Sequence, residues 1–132
     1  MVDFETFCSW AEEIVDQLPD RLLEELSGGV QIERKARRQA DDPPGVYLLG
    51  EYVVEPGLGS FIFLYYGSFR RTLAGEPPGV WRRELVTTIL HELEHHVEAL
   101  GGVDWLGAED RRELERLWRE ARGEGGPPGG GE

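Results

Sequence analysis

The sequence predicts a small α+β domain. Two observations predict it: apolar residues recur at helical spacing near both ends of the chain, and three short runs of strand character lie between them. Turn residues separate these segments cleanly.

Phe4, Phe7, Cys8, Ala11, Ile14, Val15 and Leu18 share one face of an amphipathic helix over Phe4 to Leu18, with Asp3 as its N-cap and Pro19 as its stop. Asp20 to Leu26 reads as a second, short helix that buries Leu22, Leu23 and Leu26, and Ser27-Gly28-Gly29 ends it. Val30, Ile32 and Ala36 alternate with Gln31, Glu33 and Lys35, the pattern of a half-buried strand; Arg37 and Arg38 form its solvated end. Val46 to Val54 reads as a second strand with Gly50 as a bulge. Ser60 to Tyr66 is a third strand, apolar on both faces, and so central or covered by a helix. Ser68 to Ala74 has the length for a helical turn or two. A main helix follows from about Val80 to Leu100, about 30 Å long at about 1.5 Å per residue. Gly101-Gly102 stops it, and Glu109 to Arg122 forms a last helix with Leu114, Leu117, Trp118 and Ala121 as its buried stripe.

At 132 residues the chain fits one domain, over residues 1–122, followed by a disordered Gly/Pro-rich tail at 123–132. A formal charge of −12 argues against a nucleic-acid partner, because phosphate would be repelled. No apolar run approaches the roughly 20 residues of a membrane span, so no membrane partner is expected. The N-terminus lacks the basic start and apolar core of a secretion signal, which makes a cytoplasmic location the default expectation. A single cysteine, Cys8, excludes an internal disulfide framework and a Cys-rich zinc site. Thirteen arginines, one lysine and no asparagine fit a thermophile, although a GC-rich coding sequence gives the same bias.

All three histidines lie within six residues of the main helix: His91, His95 and His96. His91, Glu92 and His95 make the pattern H-E-x-x-H. On a helix, His91 and His95 are i and i+4, with Cβ atoms about 5–6 Å apart on one face. Two imidazoles so placed can share a zinc ion, and Glu92 is positioned to act as general base. The apolar stripe Trp81, Leu85, Ile89, Leu93, Val97 and Leu100 avoids the histidines. Thr88, His91, Glu92, His95 and Ala99 form the neighbouring face. The bland alternative is an ordinary helix with solvated histidines.

A catalytic zinc usually takes three protein ligands and a water. His96 points about a third of a turn away from His95 and is expected to pack against the sheet or to support a ligand. Asp104, just after the Gly-Gly turn, is the preferred third ligand; Asp110 and Glu113 are the alternatives. Tyr47, Tyr52, Tyr65, Tyr66, Arg82 and Arg83 are all open as donors to a developing oxyanion.

The order of these elements, with Thr87-Thr88-Ile89-Leu90-His91-Glu92-Leu93-Glu94-His95-His96 and a glycine–aspartate turn, resembles the minimal zincin-like family of small bacterial proteins. The likeness spans about residues 4–118 and is most specific over Val86 to His96. Weaker echoes are the Leu18-Pro19 break, Gly45-Val46-Tyr47, and Ile62 to Gly67. The resemblance implies an α+β zincin fold, zinc bound by His91 and His95, and Glu92 as base. The chain departs from the family at one place. Val97-Glu98-Ala99-Leu100 intervenes before the glycine, which moves Gly101 and Asp104 about three residues, or roughly 4.5 Å of helical rise, farther out.

The expected function is therefore a zinc-dependent metallopeptidase acting on exposed peptides or unfolded protein. The competing expectation is a zincin-fold module that binds a peptide or protein without turnover. Intact Glu92 favours the first; the displaced Asp104 favours the second.

Overall fold

A computed structural model describes residues 1–123. The tail expected at 123–132 lies, from residue 124 on, outside the described residues. The elements in chain order are α1 (Phe4–Val15), α2 (Asp20–Glu25), β1 (Gly29–Glu33), β2 (Gly50–Glu55), β3 (Gly59–Tyr65), α3 (Tyr66–Thr72), α4 (Pro78–Leu100), a 3₁₀ turn (Val103–Trp105) and α5 (Ala108–Ala121). This is the α+β class that the patterns predict.

The sheet has the order β1-β3-β2, with β1 parallel and β2 antiparallel to β3. β3 is central, as its doubly apolar character requires. Only one of its faces lies under helices: Ile62 and Leu64 are fully buried there. On the other face Phe61, Phe63 and Tyr65 stack in a ladder, with ring centroids 5.7 and 6.4 Å apart. Aromatic self-packing thus does part of the covering expected of a helix.

Several boundaries move. α1 ends at Val15 rather than Leu18, but Gln17 and Leu18 still donate to Ile14 and Val15 in a tightened last turn. Asp3 caps the helix as expected, its carboxylate accepting from the Thr6 N–H at 2.8 Å. β1 stops at Glu33, and Arg37 is no solvated strand end: its N–H donates to Ser68 Oγ, and its guanidinium faces Glu51 at 3.8 Å. β2 begins only at Gly50: Val46 to Leu48 stand outside the ladder, and Leu49 adds one bond ahead of it by accepting from the Tyr65 N–H. Helix α3 starts directly after β3, at Tyr66.

The core is one cluster, and α4 runs through it. Trp81, Leu85, Ile89, Leu93 and Val97 are buried as the periodicity predicts, joined by Val86, Leu90, Thr88 and His96. Leu85, Ile89 and Leu93 each contribute about 1.5–3 kcal/mol by leaving water. At its end, Gly101 and Gly102 take φ of +127° and +85°, a reversal that L side chains resist, and the Gly102 N–H closes on the Val97 carbonyl at 2.9 Å. Among the described residues no helix is long and apolar enough to cross a membrane.

Gly50 is not a bulge. Its pairing with Leu64 continues in unbroken register. Its role is close approach: a Cβ there would meet Thr88 Cγ2 at 2.7 Å and the Phe63 carbonyl at 3.1 Å. The missing side chain lets β2 lie directly on α4. Gly50→Ala is therefore expected to cost about 1–3 kcal/mol through overpacking, read as a lower urea midpoint. An unchanged midpoint would show that the contact between β2 and α4 is not tight.

Candidate active site

The burial of α4 decides which of its residues reach solvent. His91 and His95 do, with side chains 60% and 63% exposed. They stand one turn apart on the same face. Glu92, rotated toward the sheet, is half-buried. Together with Gln39, Leu48, Gly50, Glu51 and Tyr52, Glu92 and His95 line an open cavity of about 520 Å³.

Tyr52 knits this site together. Its backbone N–H faces the Glu92 carboxylate and helps to hold that group's pKa down. That direction follows from the ladder. Leu49 accepts from the Tyr65 N–H at 2.9 Å, so Leu49, Glu51 and Val53 bond toward β3 while Gly50, Tyr52 and Val54 turn their backbone groups to the other edge. Burial pushes the Glu92 carboxyl above the usual range; His95, the Tyr52 N–H and His91 pull it back, and Glu51 adds to the rise. The Tyr52 hydroxyl meets His96 Nδ1 at 2.8 Å. His96 Nε2 lies 3.1 Å from the Leu22 carbonyl. A carbonyl only accepts, so Nε2 carries the proton, Nδ1 accepts, and the tyrosine hydroxyl donates. His96 is 1% exposed, and burial holds its pKa below the ordinary value. It is a neutral anchor between α2, α4 and β2, in keeping with the expectation that it packs inward.

The remaining expected residues are distributed as follows. Asp104 is exposed on the 3₁₀ turn. Asp110 faces Arg21 at 3.8 Å, and Arg21 also covers the Trp105 ring and donates to its carbonyl. Glu113 is half-buried on α5. Among the described residues no three His, Cys, Asp or Glu side chains gather into a metal-binding group. A three-ligand set of the kind a catalytic zinc takes is therefore not assembled around His91 and His95 among the described residues. Both histidines also have a carboxylate beside them, Glu94 at 3.9 Å and Glu98 at 3.5 Å. These are exposed pairs that contribute little to stability.

Most of the oxyanion candidates are committed elsewhere. Tyr65 donates to Glu51 and its pKa is pushed up to about 12, by burial first and then by that carboxylate. Tyr66 donates to the Val2 carbonyl. Tyr47 accepts from Arg71, and Arg82 faces Glu13. Only Tyr52 of the six lines the cavity, and its proton goes to His96. Gln39, which sequence reasoning missed, also lines the cavity. Glu51 was missed as well; the strand alternation from Gly50 to Val54 was the one signal that could have placed it.

No family model and no curated protein matches the chain. Among solved structures it is similar to a conserved hypothetical protein (TTHA0227) from Thermo thermophilus, at 33% identity and a TM-score of 0.65, over 74% of this chain and 96% of that one. The chain belongs to that protein's family.

Two outcomes follow for the anchor. Tyr52→Phe leaves His96 Nδ1 buried without a donor and is expected to cost about 1–3 kcal/mol in denaturant unfolding. The depressed His96 pKa means the unfolded state binds the proton more readily. Its contribution is full above the unfolded value of about 6.5 and is lost as pH falls from there toward the folded pKa. Wild-type stability should therefore drop on acidification through that window. His96→Gln should flatten the drop; an equally steep profile in that variant would assign it to other groups.

Proposed function

We propose that the chain is a zinc-dependent metallopeptidase that hydrolyses peptide bonds, with His91 and His95 as metal ligands and Glu92 as general base. The observation that carries this is a pair of exposed imidazoles one helical turn apart, His91 and His95, with the half-buried Glu92 carboxylate between them in sequence; His95 and Glu92 line a cavity beside the β2 edge of the sheet. The resemblance of Val86 to His96 to the minimal zincin-like family supports the same reading.

Zinc, held by His91, His95 and a further donor, would supply a Lewis acid for the scissile carbonyl and lower the pKa of water toward about 7. The chain's own residues supply the rest. Glu92 receives a proton on its carboxylate and passes it to the leaving amine. Its partial burial raises its basicity, which suits that task. The Tyr52 N–H faces the carboxylate, and His96 holds the Tyr52 side chain. An extended peptide would pair with the outward backbone groups of Gly50 and Val54 on the β2 edge, next to α4. A substrate bound this way must be flexible or unfolded, because one small domain builds no deep cleft around it.

Asp104, on the 3₁₀ turn, remains the proposed third ligand. Its exposed position on that turn favours a second reading: a module of the same fold that binds a peptide or protein without cleaving it.

Glu92→Gln separates the two. It is expected to lower hydrolysis of an unfolded protein substrate by about 10²–10⁴-fold, with the far-UV spectrum unchanged. Activity that survives this substitution would contradict Glu92 as base. A wild-type chain that binds the substrate but leaves it intact in the presence of zinc would favour the binding module.

A further inference from the structure

His91 and His95 form a ridge along α4. The cavity with Glu92 and the β2 edge flanks one side. On the other side lies a second groove, of about 400 Å³, walled by Glu94, Val97 and Glu98 of α4 and closed by the 3₁₀ turn and α5. Val97 and Leu106 are buried at its floor. Leu114 and Trp118 form its far wall, and Val103 stands at its mouth, 62% exposed.

This groove adjoins the proposed centre. The Trp118 ring meets the His91 imidazole edge-on at 5.4 Å. Glu94 and Glu98, which line the groove, are the same carboxylates that face His91 and His95. A chain crossing α4 from the β2 edge would place its next side chains over this apolar strip. The groove's charge is one-sided: Glu94, Glu98 and Glu115 against Arg111, on a chain of net charge −12.

We propose that this groove is the specificity subsite of the peptidase, taking a bulky apolar side chain whose neighbour in the peptide is Lys or Arg; the assignment rests on the peptidase reading above. The apolar floor selects a Leu- or Phe-like side chain by burial. The carboxylate rim selects the adjacent cation and disfavours acidic peptides.

The test uses labelled hexapeptides and fluorescence anisotropy with the full chain carrying Glu92→Gln, so that binding is read without turnover. Peptides centred on Arg-Leu, Asp-Leu and Arg-Ser are compared. Arg-Leu is expected to bind about tenfold more tightly than either of the others. Val103 and Glu115 are both exposed, so substitution there leaves the core intact. Val103→Asn should narrow the preference for Leu over Ser, and Glu115→Lys should narrow or reverse the preference for Arg over Asp. Equal affinities for the three peptides, or preferences unmoved by both variants, would overturn the proposal. Mass spectrometry of the same peptides with the wild-type chain keeps the two ideas apart. Cleavage with no Arg-Leu preference would overturn the subsite while leaving the peptidase standing. Arg-Leu selectivity without cleavage would support the groove and remove the peptidase.

Discussion

Helix α4 can bury only part of its circumference, and every feature of the candidate site follows from which part. The side carrying Trp81, Leu85, Ile89, Leu93 and Val97 is committed to the core. That leaves His91 and His95 outside and turns Glu92 toward the edge of the sheet. The approach of β2 to the same helix is set by one absent side chain, at Gly50 over Thr88. A bulkier residue there would lift the strand and take Tyr52 away from both Glu92 and His96.

The adjacent histidines His95 and His96 have opposite fates for a geometric reason. Consecutive residues on a helix point about 100° apart. That rotation puts His95 in solvent and His96 in the core, where both ring nitrogens are satisfied by Tyr52 and Leu22. The outer pair can serve chemistry because the inner one serves packing. Tyr52 links the two, with its hydroxyl on the buried histidine and its N–H facing the carboxylate of the proposed base.

The helices were legible because a 3.6-residue period over a dozen or more positions is a strong signal, and Asp3, Pro19 and Gly101-Gly102 mark their ends. The inward turn of His96 was also legible, from its rotation relative to His95. The strands were harder. Alternation around Val46 to Leu49 mimics strand pattern, yet only the residues from Gly50 on pair regularly with β3. Two glycine roles look alike in one dimension: a bulge and a close approach differ only in what lies above the Cα, and Thr88 is far from Gly50 along the chain. The cavity partners Gln39 and Leu48 were invisible for a related reason, since the loop before β2 is brought to α4 only by long-range pairing. Asp104 was placed by its distance from the glycines alone, and that distance says nothing of the direction in which the 3₁₀ turn aims it.

Zinc content tests the central claim most directly. The full-length chain, freed of metal with a chelator and then dialysed against zinc, would be measured beside Glu92→Gln and His95→Ala. About one zinc per chain is expected in the wild type and in Glu92→Gln, with loss in His95→Ala, as two imidazole ligands flanking a non-ligating base require. Wild-type protein that retains no zinc, or His95→Ala that retains it in full, would contradict the assignment of His91 and His95 as a metal pair.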